Sequence, residues 1–401
     1  MGNSKGADEA ADHRPPVRRV AVVGTGLIGT SIALALRDRG VDVLLSDPDA
    51  ASVRLACDLG AGSVLDESAQ SRPVDIAVIA APPAVIPAVL RGAQDRGLAH
   101  VYTDVASVKA SVLTEAERLG CDMATFVPGH PMGGREKHGP GAARADLFLG
   151  RSWALCPTGK AGSEAVAAVA ELARLCGADP LVLEAEAHDR AVALVSHAPH
   201  VASSAVAARL LSGDDTALTL AGQGVRDVTR VAGGDPAMWT EILTHNAVPV
   251  ADVLRGMAAD LAATADALHA LGAVREAAGD GDGHEAGTSA GAADRAGDDV
   301  LEPVRDLLAR GRSGQERLPG KHGGVKLPDY TVLPVVIPDE PGVLGRMFAV
   351  AADAGVNIED VRIEHTPGLP LGVAQLYVLP AAVDPLARAL SDDGWSVHAG
   401  A

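Results

Sequence analysis

Three histidines fall within thirteen residues of this chain, His188, His197 and His200, in the run HDRAVALVSHAPH. Imidazoles at such spacing could hold a metal, move a proton or bind an anion. These three interrupt a stretch that otherwise carries the Ala, Val and Leu of a buried helix. A zinc site is conceivable, but no cysteine or ordered carboxylate completes a ligand set, so no metal is expected. Nine residues place His197 about half a turn out of phase with His188 on an ideal helix, although Pro199 should kink the helix and spoil that projection. His197 therefore keeps two readings, a core histidine bonded within the helices or a working member of a site.

A second feature binds rather than reacts. Gly24-Thr25-Gly26-Leu27-Ile28-Gly29 fits G-x-G-x-x-G, directly after the strand-like RRVAVV and at the start of a helix-like run. The first glycine permits a tight turn, the second lets backbone approach a pyrophosphate, and the third allows helix to pack on strand. The helix N-terminus then attracts the phosphate charge. Asp47 ends the next strand about twenty residues on, where a carboxylate accepts from adenosine ribose hydroxyls and repels a 2′-phosphate. That combination points to NAD as cofactor, with Arg54 nearby keeping NADP in view. A strand-turn-helix whose glycines serve packing alone is the competing account.

The elements that must carry these groups follow from the chain's patterning. At 401 residues there is room for two or three domains. Only 2% of residues are aromatic against 47% hydrophobic, so the cores are built from Ala, Val and Leu. A net charge of −18 argues against nucleic acid or an anionic membrane as main partner. The polar N-terminus MGNSKGADEAADHRPPV has no apolar core, and position 6 is Gly6, so neither a secretory signal nor a myristoylation pattern is expected. No uninterrupted apolar run approaches the ~20 residues that span a bilayer, and the expected location is cytoplasmic. Cys57, Cys121, Cys156 and Cys176 show no metal-type spacing and read as small buried hydrophobes.

After a tail at 1–17, strands alternate with helices to about residue 180, which predicts a Rossmann-type α/β doubly wound parallel sheet. One of those helices is expected over 108–119. The pattern then turns helical, over 188–211, 216–232, 236–272 and 299–310, giving an all-helical domain at 181–310 with a flexible loop at 273–298. Its apolar segments are too extensive for one subunit to cover, so a homodimer is expected. A Gly/Lys/Arg-rich linker is expected at 311–326. Residues 327–401 spell β-α-β-β-α with SVHA as a last strand, the order of a ferredoxin-like α+β domain. In the Pro/Gly-rich VPGHPMGGREKHG, His130 should lie in a loop near the carboxyl edge of the strands, where a nicotinamide sits.

Taken in order, GTGLIGTS, TDVASVK, GHPMGG, HDRAVALVSHAPH, GVRDVTRVAGGDPAMW and DEPGVLG resemble the bacterial prephenate dehydrogenase family, in its form with a C-terminal ACT domain. The resemblance covers about 18–400 apart from 273–298. It implies oxidative decarboxylation of prephenate by NAD to 4-hydroxyphenylpyruvate in tyrosine biosynthesis. By the same resemblance, His130 is the catalytic histidine that accepts a hydrogen bond from the substrate's ring hydroxyl, which requires a neutral imidazole. Ser107 would bond both that histidine and the hydroxyl, or cap the helix that follows, or do both. Arg230 would pair with the ring carboxylate, its planar guanidinium suiting bidentate binding. Asp227 would orient a neighbour, His188 and His200 would face the substrate, and Trp239 would pack the same region.

Many relatives carry Thr-Glu where this chain has Arg135-Glu136. Arg135 could bind the substrate's side-chain carboxylate or alter preference between prephenate and its amino analogue arogenate. The C-terminal run DEPGVLGRMFAVAADAGVNI resembles the ligand-binding loop and helix of ACT domains. Gly342 and Asn357 are its candidate effector contacts, and tyrosine is the natural effector. Arogenate dehydrogenase is the nearest alternative activity. A 6-phosphogluconate-type dehydrogenase would need a lysine in the helical domain, and 188–272 has none. A non-catalytic amino-acid sensor that uses NAD structurally is the alternative from another class.

Overall fold

The computed structural model describes residues 17–66, 72–134, 138–279, 300–318, 330–365 and 370–398. The chain divides into two compact units, the first ending at Gln315 and the second beginning at Glu316.

The first unit opens with β1 (Arg19–Val23), α1 (Leu27–Asp38), β2 (Asp42–Ser46), α2 (Ala50–Asp58) and β3 (Ser63–Val64). It continues with β4 (Val74–Ile79), α3 (Ile86–Asp95) and β5 (Ala99–Asp104). These strands form a parallel sheet in the order β3-β2-β1-β4-β5. Helices lie over both faces of such a sheet, which is why its central strands are continuous apolar runs rather than alternating ones. Val20, Ala21 and Val22 of β1 and Ile76 to Ile79 of β4 are fully buried. The order reverses between β1 and β4, and a ligand crevice opens at the carboxyl ends of strands flanking that point.

Beyond β5 come α4 (Ala110–Arg118), β6 (Gly129–Pro131), β7 (Ser152–Leu155), α5 (Ser163–Leu175) and β8 (Asp179–Val182). Here the expectation of one parallel sheet is corrected. β6 pairs antiparallel with β7 and β8 parallel with it, making a separate three-stranded sheet joined to β5 through a bridge between Tyr102 and Phe126. His130 is accordingly on strand β6, opposite Ala154, and not in a loop.

The helical part comprises α6 (Ala185–Val192), a π turn at Ala193–His197, α7 (Ala198–Arg209), α8 (Asp215–Thr219) and α9 (Gln223–Thr229), then α10 (Pro236–His245), α11 (Ala247–Gly279) and α12 (Glu302–Glu316). Pro199 has no N–H to donate and its ring crowds the carbonyl four residues back. The helix widens just upstream, where the Ala198 N–H bonds the Ala193 carbonyl five residues back. The single helix expected over 236–272 breaks at Asn246, whose buried side chain is drawn inward (φ −122°). α11 runs on to Gly279, into the segment expected to be a loop from 273, and α12 runs to Glu316, past the expected start of the linker at 311. By length and mean hydropathy the run 185–212 could cross a bilayer. It nevertheless buries His188, Asp189, His197 and His200 against the rest of the unit. α10 docks on the sheet layer, with Ile242 and Trp239 packed into the core beside β4 and β5 and Glu241 accepting from the Ala84 N–H at 3.0 Å.

The second unit is β9 (Thr331–Pro338), α13 (Val343–Asp353), β10 (Asp360–His365), β11 (Leu371–Val378), α14 (Val383–Asp392) and β12 (Ser396–Val397). Its antiparallel sheet has the order β10-β11-β9-β12, as the β-α-β-β-α-β reading requires. One face is buried, with Leu333, Val335 and Ile337 of β9 packing on Met347, Leu386 and Leu390 of the helices.

Candidate active site

The three glycines of the first loop do different work. A Cβ on Gly24 would sit 2.0 Å from the Ala80 carbonyl oxygen, and Gly24 also has φ +109°. A Cβ on Gly29 would sit 2.0 Å from the Gly24 carbonyl oxygen. Both are required by backbone packing alone. Gly26 is exposed, has ordinary backbone angles and faces open space within 4 Å of where a Cβ would be. The fold does not explain that glycine, whereas a pyrophosphate lying against the backbone does. Gly26 is also the N-cap of α1 and offers no side chain to the first-turn N–H groups of Leu27 and Ile28. These residues fit the diphosphate of a dinucleotide. Asp47 follows β2 and takes the Thr25 N–H at 2.6 Å and the Thr25 hydroxyl at 3.2 Å on Oδ2, tying the loop to the next strand. Arg54 lies exposed on α2.

Asp104 ends β5 and Lys109 precedes α4, and both side chains are fully buried in contact with one another. Together they clamp Gly129. The Gly129 N–H donates to Asp104 Oδ1 at 3.1 Å, and Lys109 Nζ donates to the Gly129 carbonyl at 2.7 Å. A buried ion pair survives desolvation only with such additional bonds. Its effect here is to fix the residue before His130.

His130 Nδ1 lies 2.8 Å from His188 Nε2, and His188 Nδ1 lies 2.8 Å from Asp189 Oδ1. The Asp189 carboxylate also accepts from the backbone N–H groups of Lys109 (2.8 Å) and Ala110 (2.9 Å), so it caps the start of α4 from a different helix. Burial opposes its charge, yet the bonds from His188 and from Ala110 and Lys109 hold it below the usual carboxylate range. An ionised carboxylate can only accept, so His188 carries its proton on Nδ1 and presents a bare Nε2. His130 must then donate from Nδ1, which leaves its Nε2 as a bare acceptor. Burial first, then the cost of adding a positive charge beside His188, Lys109 and His197, pushes the His130 pKa well below that of free histidine and keeps it neutral. His188 does not face a substrate as expected, because both its ring nitrogens are engaged and the residue is 2% exposed.

His197 sits in the π turn and is also buried. Asn246 Nδ2 donates to the Asp189 carbonyl at 2.8 Å and reaches His197 Nδ1 at 3.0 Å. The amide donates, so His197 accepts on Nδ1 and holds its proton on Nε2, a buried atom with no partner. Burial pushes its pKa down to about 4. His200 lies flat on Trp239, with ring centroids 3.6 Å apart and planes 12° from parallel, and its Nδ1 is likewise buried without a partner. Burial lowers its pKa too.

Ser107 is half-buried and makes no hydrogen bond to His130 among the described residues. Nor does it cap the helix, which begins at Ala110 under the Asp189 carboxylate. Arg230 opens a 3-10 turn after α9 and is exposed, and Asp227 accepts from Gln223 at 2.8 Å. Arg135 lies outside the described residues. In the second unit Gly342 caps α13 with φ +87°, which favours glycine, and Asn357 donates to Glu359 at 2.7 Å. Among the described residues no group of three or more His, Cys, Asp or Glu is arranged to hold a metal ion. Sequence reasoning missed Asp104, Lys109, Asp189 and Asn246. The signal for the first two was their place in TDVASVK, and for Asp189 its adjacency to His188.

Comparison with known proteins bears on what this arrangement serves. Residues 32–182 match the model of the prephenate dehydrogenase nucleotide-binding domain, and 184–274 match that of the prephenate dehydrogenase dimerization domain. A Streptomyces niveus protein named Probable prephenate dehydrogenase NovF is 38% identical over 389 residues, covering 95% of this chain and all of that protein. The prephenate dehydrogenase of Bacillus subtilis is 27% identical over 362 residues, 86% of this chain and 88% of that protein. Among solved structures, prephenate dehydrogenase from A. aeolicus in complex with hydroxyphenyl propionate and NAD+ shares the fold, with TM-score 0.59 and 24% identity over 74% of this chain and 98% of that one. Synechocystis arogenate dehydrogenase aligns with TM-score 0.55 and 25% identity over 75% of this chain and all of that one. With a dinucleotide loop, an oriented neutral histidine and a relative aligned along its whole length, the chain belongs to the prephenate dehydrogenase family of NAD-dependent oxidoreductases.

Proposed function

We propose that this protein oxidatively decarboxylates prephenate with NAD, giving 4-hydroxyphenylpyruvate, carbon dioxide and NADH. The observation that carries the reading is the bond from His130 Nδ1 to His188, which leaves Nε2 as a neutral acceptor. NAD, when bound, takes up the hydride from the ring carbon bearing the hydroxyl. His130 Nε2 receives the hydroxyl proton as that carbon becomes a carbonyl. Loss of the ring carboxylate as carbon dioxide returns the electron pair through the ring to the oxygen, and His130 gives the proton back to the phenolate. The proton is therefore borrowed, and the site needs no net acid or base. A test is NADH formation from prephenate and from arogenate, each with NAD and NADP. Turnover of neither substrate would overturn the reading, and preference for arogenate would redirect it.

Arg230 is our candidate for the ring carboxylate, with Asp227 of the preceding helix and Ser107 as further candidates, and the sequence adds Arg135 as a candidate for the side-chain carboxylate. His200 and Trp239 form a flat wall suited to the other end of the substrate. Family membership and exposed apolar side chains on the helices, Leu194, Leu211, Leu220, Val248 and Leu261 among them, support a homodimer. Equilibrium sedimentation is the check on that. The family's biosynthetic role supports a cytoplasmic location. The second unit has the sheet order of an ACT domain, and we read it as a module that lets L-tyrosine inhibit the enzyme, with Gly342 and Asn357 near the effector.

A further inference from the structure

We infer that Asp189 and His188 are positioning residues that set the tautomer of His130, and that Asp189 does so because the start of α4 holds it. The inference deepens the prephenate dehydrogenase reading and rests on it. Its physical content lies in the direction of three hydrogen bonds. Asp189 receives donors from three sides, the backbone N–H groups of Lys109 and Ala110 and the His188 ring. A group surrounded by donors must be an acceptor at every contact, and a carboxylate is the side chain that fills the position. That forces the proton of His188 onto Nδ1 and the proton of His130 onto Nδ1. With the chain reversed, His130 would carry its proton on Nε2 and could donate to the substrate's hydroxyl but not receive from it.

The same arrangement supports the charged state. When His130 holds the substrate proton it becomes an imidazolium in a buried place with Lys109 nearby. Its Nδ1–H then donates to His188, whose other nitrogen rests on the Asp189 carboxylate. Asp189 is in turn tied down from behind, since Asn246 bonds its backbone carbonyl. Residues 104–110, 185–197 and 246 are thereby fixed around one carboxylate. A buried Asp whose only task was to cap α4 would not need the histidine, and a core histidine would not need both nitrogens aligned toward a second imidazole.

Asp189→Asn tests the inference. Oδ1 accepts from both His188 and Lys109 and Oδ2 from Ala110, so an amide loses one backbone bond whichever way it turns, and with NH2 in the Oδ1 place it also faces His188 Nδ1 and reverses the chain. The expected result is a kcat lower by roughly 10²–10⁴-fold with KM for prephenate and affinity for NAD little changed. In a His130→Asn background the same change should add less than about threefold, because both act through one proton. His188→Gln, whose carbonyl can still accept from His130, should retain more activity than His188→Leu. The 15N spectrum of the full-length wild-type protein reads the tautomer without any variant. A protonated Nδ1 and bare Nε2 on His130 supports the inference, and a protonated Nε2 overturns it. Full kcat in an Asp189→Asn protein whose 15N spectrum shows the His130 proton moved to Nε2, with an inactive His130→Asn, sinks the positioning role alone. Full kcat in His130→Asn sinks the underlying site reading instead.

Discussion

His200 and Trp239 stack face to face, 39 residues apart in sequence, because Gly234 leaves room for them. A Cβ on Gly234 would lie 2.5 Å from Trp239 Nε1 and 3.1 Å from His200 Cε1, while its backbone angles (φ −67°, ψ 158°) suit any residue. Gly234→Ala should therefore separate the two rings without straining the chain. A stacked pair contributes about 0.5–1.5 kcal/mol beyond its buried area, so KM for prephenate should rise about 3–10-fold with kcat less affected. Steady-state kinetics of the variant check this, and an unchanged KM would remove the stack from the substrate wall.

The glycine loop separates folding from binding. Gly24→Ala and Gly29→Ala drive a Cβ into backbone oxygen and should lower Tm sharply or abolish soluble expression. Gly26→Ala meets nothing in the protein and should melt within a few degrees of wild type. It should nonetheless bind NAD at least tenfold more weakly, because the methyl group occupies the approach of the pyrophosphate. Calorimetric melting and NAD titration, run in parallel on the three variants, decide the matter.

Acid should destabilise the protein before any carboxylate titrates. His130 and His197 are neutral when folded, with pKa values pushed down by burial, to about 4 for His197. In the unfolded chain each takes up a proton below about pH 6.5, so unfolding binds protons and stability rises with pH across this window. As pH falls from about 6.5 toward 4 each group removes up to about 1.4 kcal/mol per pH unit. Urea denaturation at a series of pH values should show that slope, and His197→Asn should flatten it. The acidic limb of kcat/KM should correspondingly lie below the ordinary histidine range, since His130 stays an acceptor there.

Breaking the Asp104–Lys109 pair from one side leaves a buried charge. Asp104→Leu and Lys109→Met should each cost about 3–5 kcal/mol, and the double variant less than their sum. Because the pair clamps Gly129, the single variants should lose kcat beyond what their stability predicts at low temperature. Denaturation midpoints and turnover for the four proteins complete the cycle.

Inhibition by L-tyrosine is the expected behaviour of the C-terminal unit. Rate measurements at rising tyrosine up to millimolar levels should show a decline, and Gly342→Val should weaken it. A rate indifferent to millimolar tyrosine would leave the unit without that role.

Local pattern carried much of this molecule. Strand-helix alternation, the Gly24–Gly29 loop and the β-α-β-β-α-β order of the second unit are all written in nearest-neighbour chemistry. What sequence alone did not reveal depends on pairing between distant segments. His130 looked like a loop residue because Pro128, Gly129 and Pro131 read as turn formers, but β7 supplies the partner that makes it a strand. His188 looked like a ligand contact, whereas Asp189 and His130 take both its nitrogens, one of them across 58 residues. Asn246 gave no signal at all, since nothing local distinguishes an amide that ends a helix from one that bonds Asp189 and His197.

The π turn at Ala193–His197 acts as a single inserted residue. Deleting one residue from Leu194–Ser196 would let an ordinary α-helix close with all that follows in nearly the same rotation, because the widened turn spends about one extra residue on the same sweep. His188, Asp189 and the His200–Trp239 stack would keep their places, and the widened backbone that seats His197 against Asn246 would be lost. A lineage could thus discard the His197 seat by a single-codon event, with the upstream proton acceptor and the aromatic wall both intact.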